Sequence, residues 1–286
     1  RDYHIFEEYA YYLVSEARQK RVNHIFKLGG NVYAFDSTTI DLCLSVFWWA
    51  KFRKKKGGIK VHTLYDVETQ IPAFFHITEA SVHDSKAMIE IPYEPGSYYI
   101  FDRGYNNFKM LNRIHLIEAY FVVRAKKNLQ CKFIKWKRRL PKNVLSDASV
   151  LLTGFYPKQY YPEPIRLVKY WDEEQEREFI FITNAMHISA LQVAELYKNR
   201  WQVELFFKWL KQHLRIKRFW GTTENAVRIQ IYAAICTYCL VAIIQHDMQL
   251  DRSTYEVLQI LSISLTDKTH LRDLFDKTKF QNDKER

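Results

Sequence analysis

Apolar positions recur with a helical period at the start of the chain and with a strand period soon after it. Ile5, Tyr9, Leu13 and Ala17 share one helical face, which predicts a lead-in helix over residues 2–22, followed by a basic patch and the turn signal Gly29-Gly30. Residues 32–44, 59–67 and 71–78 are rich in β-branched and aromatic side chains and are separated by turn-like or charged segments. They predict three strands in a meander. A short helix over 81–90, a strand over 98–102, a helix over 107–118 and a strand over 120–125 complete the order βββαβαβ.

The pattern then changes. Lys and Arg crowd residues 126–139, proline recurs at Pro141, Pro157, Pro162 and Pro164, and the alternation of residues 165–170 suggests β-structure. This stretch reads as an insertion. Residues 179–183 return to strand, and Ser189 followed by Gln192 is a capping-box start for one long helix ending near Leu214. A second long, mostly apolar helix is expected over 225–250, and Ser253 with Glu256 caps a third. The expected organisation is a helical lead-in (1–30), the first part of an α/β core (31–127), a β-rich insertion (128–178), the second part of the core (179–250) and a helical tail (251–286).

Composition narrows the partner. With 43 Lys and Arg against 32 Asp and Glu, the net charge of +11 favours a polyanion, nucleic acid first. Ribosomal and membrane-surface proteins share such a balance, so the motifs have to decide. The cysteines Cys43, Cys131, Cys236 and Cys239 are too few and scattered for a disulfide framework. Cys236 and Cys239 form a C-x-x-C inside an apolar run with no second ligand pair, which reads as buried thiols rather than a zinc site. That run, residues 231–244, is too short to span a bilayer, and the N-terminus shows no signal segment. A cytoplasmic protein without a membrane partner is expected; the initial Arg suggests a fragment of a longer chain.

The segment YKNRWQVELFFKWLK carries the strongest chemistry. Tyr197, Arg200, Glu204 and Lys211 fall at offsets of three, seven and fourteen residues, within roughly 60° of one another on a helical wheel. Val203, Phe206, Phe207, Leu210 and Leu214 fill an adjoining apolar sector. One carboxylate flanked by two cations suits metal and phosphate together; a solvated face with incidental ion pairs is the plainer alternative. Two aspartates tip the balance. Asp36 interrupts the apolar strand VYAFDSTTI and Asp102 ends the strand YYIFD, where an unpaired carboxylate is costly to bury. A turn former at Asp102 and a local hydrogen bonder at Asp36 are the competing explanations, whereas metal binding accounts for both.

FDSTTIDLCL, KGGIKVH, TEASVHDSKAM, YYIFDRGY, YFVVRAKKNLQ and YKNRWQVELFFKWLKQHL together resemble the DDE transposases of the insertion-sequence-four group. The last segment fits that group's signature of Tyr, two residues, Arg, three residues, Glu, six residues, Lys at every position. The resemblance implies an α/β RNase H-like core, a mixed sheet flanked by helices, with a β-rich insertion between the second Asp and the Glu. It makes Asp36, Asp102 and Glu204 the catalytic and metal-binding acids, with Tyr197, Arg200 and Lys211 contacting DNA at the cleavage site. Two Mg²⁺ ions, replaceable by Mn²⁺, would activate an oxygen nucleophile and stabilise the attacked phosphate, Asp36 bridging them with Asp102 on one and Glu204 on the other. Arg103, the loop lysines Lys54, Lys55 and Lys56, and Trp136 amid Lys132, Lys135, Lys137, Arg138 and Arg139 would widen the DNA track. His62, His83 and Asp84 lie in matching segments, but His83-Asp84 can simply cap a helix.

The implied function is cut-and-paste transposition in a bacterial cytoplasm at the nucleoid. Its partners are transposon ends and target double-stranded DNA, with a dimer in the synaptic complex and a hairpin step at the transposon end. Members of the group usually carry an additional N-terminal helical domain for end recognition, which this chain begins too close to Asp36 to contain. An RNase H-like nuclease without joining activity and a non-catalytic DNA-binding remnant are the rival functions.

Overall fold

Extended segments rich in β-branched and aromatic residues pair into one mixed sheet, ten-stranded among the described residues of this computed structural model. Residues 2–21, 25–53, 56–213, 219–264 and 268–275 are described. The chain divides into two compact units, Asn23–Phe207 and Arg1–Val22 with Lys208–Arg286.

In chain order the elements are α1 (Tyr3–Lys20), β1 (Val32–Leu42), β2 (Lys51–Arg53), β3 (Lys56–Asp66), β4 (Ile71–Glu79), β5 (Tyr98–Phe101), α2 (Phe108–Leu116) and β6 (Tyr120–Arg124). There follow β7 (Cys131–Trp136), β8 (Val144–Leu152), α3 (Phe155–Tyr160), β9 (Ile165–Asp172), β10 (Arg177–Thr183), α4 (Ala190–Lys198), α5 (Trp201–His213), α6 (Glu224–Asp247) and α7 (Thr254–Ser264). The expected order of the first half is met, with β2 as an additional short strand. The helix expected over 81–90 is a 3₁₀ segment, Asp84–Glu90, capped by His83 through the Ser85 amide.

The sheet runs β2-β3-β1-β5-β6-β10-β9-β8-β7, with β4 also on β3. β5 is parallel to both β1 and β6, and the other pairs are antiparallel. Residues 128–178 therefore contribute β7, β8 and β9 to the same sheet, beyond β10. One face carries a core of Phe35, Phe101, Leu111, Ile114, Phe121 and Val150, closed by α2, the 3₁₀ segment and Tyr161 just after α3. On the other face Phe179 and Phe181 pack against Tyr197 of α4.

The start of β1 is set by a close backbone approach. A Cβ on Gly30 would lie 2.1 Å from the Gly96 carbonyl oxygen, so only glycine lets the segment before β1 run against the turn before β5. The Tyr98 amide then donates to the Asn31 carbonyl at 2.8 Å, and Val32 pairs with Tyr98.

The helix expected from Ser189 to Leu214 is two helices. The Asn199 amide group donates to the Glu195 carbonyl at 2.9 Å, and the Asn199 backbone amide reaches the Glu195 and Leu196 carbonyls, each at 3.2 Å. These bonds close α4, and α5 begins two residues later.

In the other unit α1 packs along α6 through Tyr3 stacked on Tyr232, a Tyr232 to Glu7 hydrogen bond, and a Lys20 to Asp247 ion pair at 2.7 Å. α6 is long and apolar enough to cross a membrane, but more than half of its most apolar window is buried within the protein. Cys236 and Cys239 are buried on it, and burial pushes the Cys236 thiol up to about 11.

Candidate active site

Strand register brings the two aspartates together. In the parallel pair of β1 and β5, Phe35 is the partner of Phe101, so Asp36 and Asp102 are the next residues on adjacent strands about 4.8 Å apart. β5 ends there, because Asp102 opens the 3₁₀ turn Arg103–Tyr105, while β1 continues along β3 to Leu42. The Asp102 side chain makes no capping bond to that turn. Its Oδ1 instead accepts from the Tyr197 hydroxyl at 3.1 Å. Tyr197, near the end of α4, packs on Phe181 at 4.7 Å; burial and then the Asp102 charge push its hydroxyl up to about 12.

Glu204 arrives from the first turn of α5, and Arg200 connects it to β1. One guanidinium nitrogen of Arg200 meets Asp36 Oδ2 at 2.7 Å and the other meets Glu204 Oε1 at 2.5 Å. The i, i+4 spacing sets the second contact. Arg200 Nε is buried without a partner among the described residues. Burial, aided by the Glu204 and Asp102 charges, raises the Asp36 carboxyl to about 6 against the lowering effects of Arg200 and the Ser37 amide. Asp36 Oδ1 also accepts from the Ser37 amide at 2.8 Å, the local bond anticipated as an alternative explanation.

Asp102, Tyr197, Arg200 and Glu204 line a cleft of about 820 Å³ together with Arg124 and Trp201, and Asp36 is joined to that lining through Arg200. The acidic turn between β9 and β10 also lines the cleft, and there Glu174 pairs with Lys198 at 2.7 Å. Among the described residues no three His, Cys, Asp or Glu side chains close on a common metal-binding point. Asp36 and Glu204 close on the Arg200 guanidinium instead. The donor chemistry nevertheless suits a hard divalent cation. Every available ligand is a carboxylate oxygen, and three carboxylates against one guanidinium leave an excess of negative charge.

The remaining expected site residues are dispersed. Lys211 lies seven residues past Glu204 on α5 and belongs to the other unit. Arg103 directly follows Asp102 and is partly buried, its carbonyl accepting from Asn106 at 2.8 Å. Lys54 and Lys55 lie outside the described residues, and Lys56 is described only as the first backbone position of β3. Trp136 is exposed and stacks on Phe133 at 4.2 Å. A bulge between Phe133 and Lys135 sets that aromatic pair opposite the core residues Val150 and Ala148, whereas Lys132 and Lys135 face Leu151 and Ser149. The aromatics and these lysines thus stand on opposite faces of the sheet. Lys137 reaches the Asp147 carboxylate at 3.0 Å. Buried His62 bonds to Thr78 at 3.0 Å, and burial brings it down to about 4.

Sequence reasoning missed Tyr105, whose buried hydroxyl approaches Asp36 Oδ1 at 3.5 Å, and Arg124 in the cleft. Both lie within segments that carried the resemblance, YYIFDRGY and YFVVRAKKNLQ, but nothing in their spacing singled them out.

A family model described as Transposase DDE domain matches residues 27–240. A Sinorhizobium fredii protein named as a transposase, y4zB, is 35% identical over 246 residues, 84% of this chain and 67% of its own length. Two further relatives are named as transposases of insertion sequence elements. That of IS5377 from Geobacillus stearothermophilus is 31% identical over 72% of this chain and 54% of its own length. That of IS4SA from a Synechocystis strain is 25% identical over 94% and 75% respectively. The match spans β1, β5 and α5, the elements that bear the three acids, and the chain belongs to the transposase DDE domain family.

Proposed function

We propose that this chain catalyses divalent-metal-dependent cleavage and transfer of DNA strands, as the catalytic part of an insertion-sequence transposase acting by a cut-and-paste route. Asp36, Asp102 and Glu204 are the acids that hold the metal, Mg²⁺ or Mn²⁺. The core is RNase H-like, with residues 128–178 as its insertion. The observation that supports this most directly is that three distant carboxylates are linked, Asp36 to Asp102 by strand register and Asp36 to Glu204 through Arg200, with Asp102 and Glu204 lining one cleft. When bound, the metal supplies an activated oxygen nucleophile and neutralises charge on the attacked phosphate.

The protein's own groups do the rest. Tyr197 orients Asp102 by donating to one of its oxygens, leaving the other for a ligand. The planar Arg200 fork, once a metal neutralises the acids it now bridges, is matched to a phosphate in the same cleft. Lys211 and Arg103 extend the phosphate contacts as point charge and fork, with the basic segment 54–56 and the Trp136 edge as outer parts of the track. Double-stranded transposon ends and target DNA are the substrates, brought together in a dimeric complex at the bacterial nucleoid.

The decisive measurement is cleavage and joining of labelled DNA ends in Mg²⁺, with Asp102→Asn beside the parent. The substitution is expected to lower cleavage at least 1,000-fold, about 4 kcal/mol of barrier. Parental cleavage by Asp102→Asn would put the chemistry elsewhere. Cleavage of intact ends without joined products when pre-cut ends and target DNA are supplied would identify a nuclease.

A further inference from the structure

On the face of β1 away from α5, a second carboxylate stands behind Asp36. Ser37 Oγ donates to Asp84 Oδ1 at 2.7 Å, although the residues are 47 positions apart. Asp84 opens the 3₁₀ segment and is fixed by Lys60 of β3, whose Nζ lies 3.1 Å from the same oxygen and donates to the Val82 carbonyl at 2.7 Å. Lys60 is itself nearly buried, with 12% of its side chain exposed. The amide of the same Ser37 donates to Asp36 Oδ1 at 2.8 Å, and the Tyr105 hydroxyl approaches that oxygen at 3.5 Å.

From this chain of contacts we infer that Asp84 and Ser37 are positioning residues, with Lys60-anchored Asp84 holding Ser37 so that its amide fixes the Asp36 carboxylate for metal. The inference rests on the metal-binding role proposed for Asp36. It gives His83-Asp84 more than the capping role suggested by sequence: His83 caps the segment, and Asp84 reaches across to β1. The physical basis is local. A carboxylate in the middle of a strand has rotameric freedom, and a neighbouring amide restrains it only as well as its own residue is restrained. The hydroxyl of Ser37 supplies that restraint through a charge-assisted bond, and Lys60 keeps Asp84 from relaxing toward solvent. Groups that orient a metal ligand typically change metal affinity or activity by about 10- to 100-fold.

The test uses the full chain with Ser37→Ala, Ser37→Thr, Asp84→Asn, Asp84→Ala and the Ser37→Ala/Asp84→Ala double variant. Mn²⁺ binding without DNA is read by electron paramagnetic resonance, DNA cleavage by turnover and KM, and folding by thermal melts. Ser37→Ala and Asp84→Ala are each expected to raise the Mn²⁺ concentration for half-saturation about 10-fold and to lower kcat about 10-fold with KM for DNA unchanged. Because both act through one contact, the double variant should be no worse than about twofold beyond the weaker single. Ser37→Thr, which keeps the hydroxyl, should retain at least half of parental turnover. Asp84→Asn keeps the shape and an acceptor oxygen, and should fall between the parent and Asp84→Ala. Losses that multiply to about 100-fold in the double variant, unchanged Mn²⁺ binding in the singles, or losses that track a lowered melting temperature would overturn the inference. Asp36→Asn serves as the separate control: cleavage surviving in it refutes the proposed function itself, whereas its loss beside unaffected Ser37 and Asp84 variants refutes only the positioning role.

Discussion

Arg200 bridges Asp36, 164 residues earlier, and Glu204, four residues later, using the two ends of one planar group. The first-named contact was beyond local sequence analysis; the second follows from helical spacing. Asp36 was recognisable because an acid breaks an apolar strand, and Asp102 because an acid ends one. Their company with Tyr105, Ser37 and Asp84 was not, since each of those contacts depends on how distant segments cross. A different buried carboxylate carries no signal in the sequence. Asp147 on β8 receives two nitrogens of Arg166 at 2.8 and 2.7 Å, and Arg166 also donates to the Ala185 and Ile188 carbonyls just before α4. Their side chains are 3% and 2% exposed, so removing one charge strands the other away from water. Asp147→Asn is expected to cost about 3 to 5 kcal/mol in urea unfolding at pH 7. Burial acts to raise the Asp147 carboxyl, but hydrogen bonds from Arg166 and Lys137 outweigh it and hold the group below its ordinary value. The pair's contribution is therefore complete above the unfolded carboxyl's value of about 3.9 and is lost as pH falls through the lower folded value. The gap between parent and variant should narrow only in that acidic range; a gap that is already closed at pH 6 would contradict this assignment.

Elements whose signal is local were legible. The capping box at Ser189 is present in both directions, with the Gln192 amide donating to Ser189 Oγ at 3.1 Å and the Ser189 amide donating to Gln192 Oε1 at 2.8 Å. Ser253 caps α7 in the same way, and Glu256 Oε2 accepts from the Ser253 amide at 2.8 Å. The break after Lys198 was not legible, because Tyr197, Arg200 and Glu204 keep a helical spacing straight through it. Nor was the bulge in β7, which reverses the face of Trp136 relative to a regular strand. These irregularities are set by side-chain bonds and pairing partners rather than by periodicity. Since α4 carries Tyr197 to Asp102, its N-terminal cap matters to the site only through helix stability. Ser189→Ala should cost about 1 kcal/mol in unfolding free energy while leaving DNA affinity unchanged. A loss of DNA affinity comparable to the stability loss would show that the start of α4 is itself part of the binding surface.

At the scale of the molecule, the order of the first strands was readable, but the sheet's extension was not: β10 pairs with β6 across more than fifty residues of intervening chain, and only that pairing joins β7, β8 and β9 to the strands bearing the aspartates. Charge is distributed with a similar contrast between local and global. The sequence carries +11, yet Asp102, Glu204 and the acidic turn residues Asp172, Glu173 and Glu174 line one cleft, with Asp36 joined to Glu204 through Arg200. A phosphate backbone is thus attracted by the protein as a whole and repelled where the acids gather, and the metal of the proposed function would relieve that repulsion. Affinity and chemistry should separate accordingly. DNA binding measured by fluorescence anisotropy in a metal-free buffer should weaken roughly 1,000-fold between 50 and 200 mM salt, the response of about six neutralised phosphates. Under the same conditions Asp102→Asn and Glu204→Gln should bind DNA as tightly as the parent or more tightly, because each removes a negative charge facing the backbone, while both lose cleavage in Mg²⁺. Weaker binding by these variants, in step with their lost cleavage, would mean that the carboxylates hold the DNA directly and that the cleft is not the repulsive centre its charge implies.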